Sequence, residues 1–257
     1  MSPFPEICTR TKNFVIVGQK RSGTAILSGA LGNVRGVVCH QHLLDADEDS
    51  RRKAHLAYYG EVESIRPTWL TPYDISVEHY LRDTVFDHPA FGEAAIGVRL
   101  TYDQLDALDL YDCLSESQYD VVHVVRNPLA ALISLKQAER FGQWQQLRVA
   151  ALPPVVPSAV RIEPEDAVQA VRNTEATQRR LESARRHRVL TIRYDDILQR
   201  YNHTLDDILR YLKIPANRPP APLSARIRQR GDFARRVTNW AELTSVSALR
   251  PYLATLV

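Results

Sequence analysis

A three-layer α/β domain with a central parallel sheet is the fold that this 257-residue sequence predicts. Two observations predict it. Apolar runs rich in Val and Ile recur at Phe14–Val17, Gly36–Cys39, Ala95–Leu100, Val121–Val125 and Val189–Ile192, and they do not alternate with polar residues. Strands buried on both faces of a parallel sheet read this way, because helices cover both sides. Helical patterns lie between the runs, and strands alternating with helices stack into three layers. No internal repeat is present. The Pro-rich segments Leu152–Pro157 and Pro215–Pro222 have regular patterns on both sides, so they read as loops and the expectation is a single domain over 1–257.

The first element is the most informative. Phe14-Val-Ile-Val-Gly-Gln-Lys-Arg-Ser-Gly-Thr-Ala-Ile-Leu27 reads as an apolar strand, a tight loop with two cations and two hydroxyls, and the start of an apolar-faced helix. Such a loop is an anion site, since backbone N–H groups and the helix dipole both favour negative charge there. Gly18 and Gly23 have the spacing of a nucleotide-hydrolysing P-loop, but Thr24 stands in the lysine position and the cations come early, at Lys20 and Arg21. The loop is P-loop-like, yet suited to a phosphate-like donor that needs no magnesium. The second run, Gly36–Cys39, is expected beside this loop in the sheet, which would bring His40, His42 and Asp45 to the same edge. Over 45–91 the periodicity is weak and His, Tyr and acidic residues are frequent; this stretch reads as acceptor-facing helices and loops.

After the third run, Ala95–Leu100, comes a second strand that runs into a helix N-terminus, Tyr119-Asp-Val-Val-His-Val-Val-Arg-Asn-Pro128. Arg126 stands at the carboxyl end of the strand, where ligands bind in open α/β sheets. Asn127 is a helix cap and Pro128 a first helical residue, with Leu129, Leu132, Ile133 and Lys136 following at helical spacing. Ser134, two turns in, offers a hydroxyl to the same anion. A magnesium-dependent phosphotransferase would more commonly end such a strand with an acid that holds the metal. Read alone, the segment suits an Arg126 paired with a carboxylate equally well. His123, in mid-strand, reads as a core residue. Pro164, with Glu163, Glu165 and Asp166, opens a long helix that closes on Arg185, Arg186, His187 and Arg188, a charge order that suits the macrodipole. A last helix covers Thr204–Leu212.

Composition removes several function classes. A formal charge of +3 suits a small polyanionic ligand and falls short of a nucleic-acid-binding surface. Three cysteines without a C-x-x-C pair argue against a disulfide framework or a zinc site, and for a reducing compartment. No run approaches the roughly 18 apolar residues of a membrane span. The first residues lack the cationic and apolar parts of a signal peptide, so a cytoplasmic protein is expected.

These residues resemble the sulfotransferases that use 3′-phosphoadenosine 5′-phosphosulfate (PAPS). Gln19-Lys-Arg-Ser-Gly-Thr-Ala25 is similar to the family's phosphosulfate loop, and Arg126-Asn-Pro with Ser134 is similar to its 3′-phosphate site, spacing included. Arg193-Tyr-Asp-Asp-Ile197 resembles a segment common in these enzymes. Ile96–Asp103 and Ile227–Leu243 look more like the bacterial nodulation-factor and carbohydrate branch. The resemblance spans Phe14 to Leu243 and departs from the family at two points of the loop, where Lys20 replaces a proline and Ala25 a threonine.

The resemblance implies transfer of a sulfuryl group from PAPS to a hydroxyl or amine of a carbohydrate or small metabolite, with the desulfonated nucleotide PAP as product and no metal. It implies that Arg21, Ser22, Gly23, Thr24 and Ala25 hold the phosphosulfate, with Lys20 beside them, and that Arg126 and Ser134 hold the 3′-phosphate. Arg21 braces the leaving phosphate, with Arg99 as a candidate helper. In the family's Gly-Glu-Leu stretch the glutamate is the candidate base; Val38–Leu44 matches that stretch and carries His42 at its position, with His40 and Asp45 as alternatives. An imidazole titrates near neutrality and suits proton transfer. Plainer readings stand beside these: Lys20 as a solvated cation, and Arg99 as a buried ion-pair partner. Two other functions remain open, a P-loop kinase and a nucleotide-binding module with a degenerate site. A homo-oligomer is compatible with everything above.

Overall fold

In a computed structural model of the chain, the five apolar runs pair into one all-parallel sheet. The structure describes residues 11–44, 77–86, 94–115, 119–142, 159–184, 189–214 and 233–256. The strands are β1 (Lys12–Gly18), β2 (Val37–His40), β3 (Ala95–Thr101), β4 (Asp120–Val125) and β5 (Val189–Arg193), in spatial order β2-β3-β1-β4-β5. Helices join them: α1 (Thr24–Gly32), α2 (Tyr102–Ala107), α3 (Tyr111–Ser115), α4 (Pro128–Phe141), α5 (Pro164–Ser183), α6 (Tyr194–Gln199) and α7 (Tyr201–Tyr211). The chain ends in α8 (Trp240–Ser245) and α9 (Arg250–Leu253).

Successive residues of the central strands point to opposite faces, and both faces are buried. Val15, Val17, Val98 and Val121 pack with Leu105, Tyr111 and Leu114 on one side. Phe14, Ile16, Val122 and Val124 pack with Leu27, Leu31, Leu205 and Ile208 on the other. That is why these runs lack polar alternation. Gly97 has its own reason to be glycine, since a Cβ there would sit 2.2 Å from the Phe14 ring. A third cluster joins α4 and α5 to the C-terminal helices through Leu129, Ile133, Val171, Leu243 and Leu249. Within it the segment ending at Arg236 is tied down: Val160 N–H donates to the Arg236 carbonyl at 2.9 Å, and the Asn239 side chain bonds both the N–H and the carbonyl of Ile162.

One expected neighbour relation is wrong. β2 does not lie beside the first loop, because β3 is inserted between β1 and β2. The reason is burial: β3 is apolar enough to be covered on both faces along its length, whereas Val38 and Cys39 are only half-buried and suit the sheet's edge. His40 pairs with Val98, and Val98 with Val15, so β2 ends three residues short of the level of Gly18. With a rise of ~3.3 Å per residue and ~4.8 Å between strands, His40 lies about 14 Å from Gly18.

Most of the stretch 45–91, Asp45 included, lies outside the described residues, as do both Pro-rich segments and the run Arg185–Arg188. The described part of that stretch, helical over Val77–His79 and a π-helix over Tyr80–Phe86, buries Tyr80, Leu81, Val85 and Phe86 against the sheet.

Candidate active site

Because every strand is parallel, all five carboxyl ends share one edge. The connections from β1 and β4 diverge, one toward β2 and the other toward β5, and that divergence opens a crevice outside their ends. The register decides what meets there. Gly18 is level with Val124, and Val125 with Arg193, so the loop after β1, Arg126 and Tyr194 emerge side by side.

The loop is built for an anion by its backbone. Arg21 has φ 68° and Gly23 φ 98°, left-handed values that curl the chain into a concave cradle. A non-glycine residue there costs on the order of 1–2 kcal/mol, a strain that folds retain at functional positions. Gly23 is the N-cap of α1, with no side-chain cap and no acidic residue in the first turn. The first N–H groups of α1, which Thr24 and Ala25 open, therefore have no intrahelical acceptor. Ser22 turns inward: its N–H donates to the Gln19 carbonyl at 3.1 Å, and its hydroxyl lies under the loop, 2.6 Å from where a Cβ on Gly18 would be. Ser22 Oγ and Gln19 Oε1 are buried without a hydrogen-bond partner, a rare state in a packed core and a common one around a ligand site.

Two arginines close the crevice. Arg21 Nε donates to Ser134 Oγ on α4 at 3.2 Å. Arg126 Nη1 donates to the Arg21 carbonyl at 2.5 Å, and its guanidinium lies 4.0 Å from the centroid of the Tyr194 ring. Asn127 sets the direction of Arg126 by capping α4, accepting from the N–H groups of Leu129 and Ala130 at 2.9 and 3.0 Å. Burial holds both guanidiniums below the usual arginine range, and Tyr194 opposes this in each case. At Arg126 the nearby charges of Arg21 and Arg236 push further down, against the carboxylate of Asp195. Arginine stays protonated in proteins, so the crevice concentrates positive charge that a bound polyanion would relieve.

The remaining predicted residues form a second group. Lys20 points away from Arg21 and pairs with Asp103 of α2 at 2.5 Å, both side chains more than half exposed. Arg99 donates from Nε and Nη2 to the Gln41 carbonyl at 3.1 and 2.8 Å, while Gln104 Nε2 donates to the Leu44 carbonyl at 2.8 Å. These bonds pin the turn after β2, which carries the exposed His42; His40, the last residue of β2, is buried. Arg99 is thus an anchor of the histidine turn. His123 is a core residue, its Nε2 2.6 Å from the Tyr102 hydroxyl. The site brings together Arg21, Gly23, Thr24, Ala25, Arg126 and Ser134, and holds His40, His42 and Arg99 apart on the β2–β3 side.

Tyr194 and Arg236 are the neighbours that residue-by-residue reading missed. The signal for Tyr194 was its place just after the fifth predicted run, two residues past Ile192, but only the extension of β5 to Arg193 and its pairing with β4 set it level with Arg126. Nothing local marks Arg236, which comes from a segment far away in sequence. Among the described residues no group of His, Cys, Asp and Glu has the arrangement of a metal site, and no helix is long and apolar enough to cross a membrane.

No model of a known protein family matches the chain, and no curated protein does. Among solved structures, the chain is similar to the sulfotransferase domain of the curacin biosynthetic pathway, with 14% identity, TM-score 0.47, and coverage of 93% of this chain and 84% of that one. It is similar also to a sulfotransferase from Alicyclobacillus acidocaldarius, at 16% identity and TM-score 0.44 over 95% of each chain. A third is mouse sulfotransferase SULT7A1 complexed with PAP, at 15% identity and TM-score 0.43, covering 81% of this chain and 61% of that one. At this level of likeness a related chain path says nothing of a shared substrate.

Proposed function

We propose that this protein is a PAPS-dependent sulfotransferase acting on a hydroxyl or amine of a carbohydrate or small metabolite. The observation that carries the reading is the convergence of an uncapped helix N-terminus with Arg21 and Arg126 on one crevice, where Arg21 and Arg236 add to the positive field at Arg126. The residues fit a nucleotide with charge at two places. The amides of Gly23, Thr24 and Ala25 suit the 5′-phosphosulfate, and Arg126 with Ser134 suits the 3′-phosphate, leaving Arg21 between them.

The chemistry asks three things of the chain. The donor brings an activated sulfuryl group, and the loop amides hold its oxygens in line. As the acceptor oxygen bonds sulfur, the sulfur–oxygen bond to the phosphate breaks, and Arg21 neutralises the charge that grows on that phosphate. His42, exposed on the pinned turn at the same carboxyl-end edge of the sheet, is the residue to take the proton of an acceptor that reaches from the crevice toward the β2–β3 side. Arg99 contributes by fixing the turn that carries His42. A kinase is disfavoured by Thr24 in the lysine position and by a cation at the end of β4.

The test is incubation with PAPS and a panel of metabolite and carbohydrate acceptors, read by mass spectrometry with and without EDTA. Product heavier by one sulfuryl group, formed equally with EDTA, supports the proposal. ATP turnover that EDTA abolishes and magnesium restores would replace it with a phosphotransferase. Tight PAP binding with no acceptor modified would leave a nucleotide-binding module.

A further inference from the structure

We propose that Asp103 and Gln104, successive residues in the first turn of α2, are positioning residues that hold the His42 turn in register with the loop after β1; this rests on the reading of His42 as the residue that takes the acceptor's proton. The sheet order places β3 between β1 and β2, so α2, which starts at the carboxyl end of β3, begins between that loop and the turn after β2. On one side Asp103 pairs with Lys20 of the loop at 2.5 Å. On the other, Gln104 Nε2 donates to the Leu44 carbonyl at 2.8 Å. Gln104 is itself fixed to the sheet: its Oε1 accepts from the Thr101 N–H at 2.8 Å and from the Thr101 hydroxyl at 3.1 Å. Thr101 is the last residue of β3 and is level with Gly18, the last of β1.

β2 ends three residues below the level of Gly18, so a residue just beyond it has to be carried toward the crevice. The turn does this by climbing beside β3. Arg99, one residue past the partner of His40, holds the Gln41 carbonyl, and Gln104, five residues further on, holds the Leu44 carbonyl. His42 is exposed between these two fixed carbonyls, while Leu43 and Leu44 are buried. A side-chain amide can accept from Thr101 and donate to a carbonyl at once, which neither a carboxylate nor a hydrocarbon can do. Such placement bears on rate, because a shift of about 1 Å at a catalytic group can cost on the order of 100-fold. Lys20 and His42 stand where the family that the sequence resembles has a proline and a glutamate, so this bridge belongs to the present chain.

The experiment measures kcat with an acceptor from the PAPS panel, PAP affinity by calorimetry, melting without ligand, and the His42 imidazole NMR signal, assigned by its loss in His42→Ala. Gln104→Glu keeps the acceptor for Thr101 but cannot donate to Leu44, and Gln104→Met removes the donor without adding charge. Both should lower kcat by about 10- to 100-fold and shift the His42 signal, with Gln104→Glu melting and binding PAP as wild type does. Asp103→Asn should lower kcat by about 2- to 5-fold, the span of an exposed ion pair. In the Gln104→Met background it should add less than about twofold, because the bridge is already broken. Should Gln104→Met not fold, Gln104→Glu carries both comparisons. Wild-type kcat in Gln104→Met, a loss that leaves the His42 signal unmoved, or a loss in Gln104→Glu that follows lowered melting and PAP affinity overturns the proposal and leaves Gln104 as a helix cap. An equal Asp103→Asn loss in both backgrounds separates the loop from the turn and overturns the bridge. Wild-type turnover in His42→Ala, or no acceptor modified at all, overturns the reading of His42, and the proposal with it, before any α2 variant is compared.

Discussion

Replacing Arg126 by Met separates a residue kept for a ligand from one kept for the fold. In the folded protein Arg126 makes one hydrogen bond to the Arg21 carbonyl and stacks on Tyr194. Losing them costs about 1 kcal/mol for the hydrogen bond and about 0.5–2 kcal/mol for the stacking. Against this stands the burial of a cation close to Arg21 and Arg236, whose desolvation alone costs several kcal/mol. Arg126→Met should therefore melt at the wild-type temperature or above it in the absence of ligand. Ligand binding should move the other way, since a lost charge-assisted bond is worth about 1.5–3 kcal/mol, or roughly 10- to 150-fold in affinity. The assay is thermal unfolding with PAP. At 100 times its dissociation constant, PAP should stabilise wild type by about 2.7 kcal/mol, a rise of about 5–11 °C for a chain of this size. The same concentration should stabilise the variant by only about 0.3–1.4 kcal/mol. A variant that melts several degrees lower and keeps the full PAP-induced rise would show that Arg126 serves the fold.

Three further outcomes are expected. Ser134→Ala removes the acceptor of Arg21 Nε and should weaken PAP binding by about fivefold, near 1 kcal/mol; unchanged affinity by calorimetry would remove Ser134 from the site. His42→Ala should lower kcat by about 10²–10⁴-fold and leave PAP affinity intact; wild-type turnover in that variant, with loss in His40→Ala or Asp45→Ala, would move the base. Stability should fall on the alkaline side. Burial pushes the Cys39 thiol up to about 12, burial and the bond to Asp106 push Tyr111 up to about 12, and the bond to Glu175 does the same for Tyr252. Groups raised on folding contribute fully below their unfolded values, near 9 for the thiol and 10 for the phenols, and lose that contribution as pH rises toward 12. Chemical unfolding at pH 8, 10 and 11 should show the decline, and a flat profile would contradict it.

What the sequence determined by itself is local. Unbroken Val/Ile runs require strands covered on both faces, and all five occur. Gly18-x-x-x-x-Gly23 leading into apolar residues requires a loop that opens a helix, and Asn127-Pro128 starts α4 with the cap their chemistry dictates. Each depends on residues within one turn or strand of one another, where periodicity and φ/ψ preference act directly. Strand order is different. Parallel strands joined by helices can be laid down in several orders with the same local sequence, so the insertion of β3 between β1 and β2 is settled only when every element competes for the buried centre. That choice moved His40 and His42 away from the loop and paired Arg99 with the Gln41 carbonyl. It was also register across β4 and β5, a property of two chain segments at once, that set Tyr194 beneath Arg126 and gave the second cation its direction.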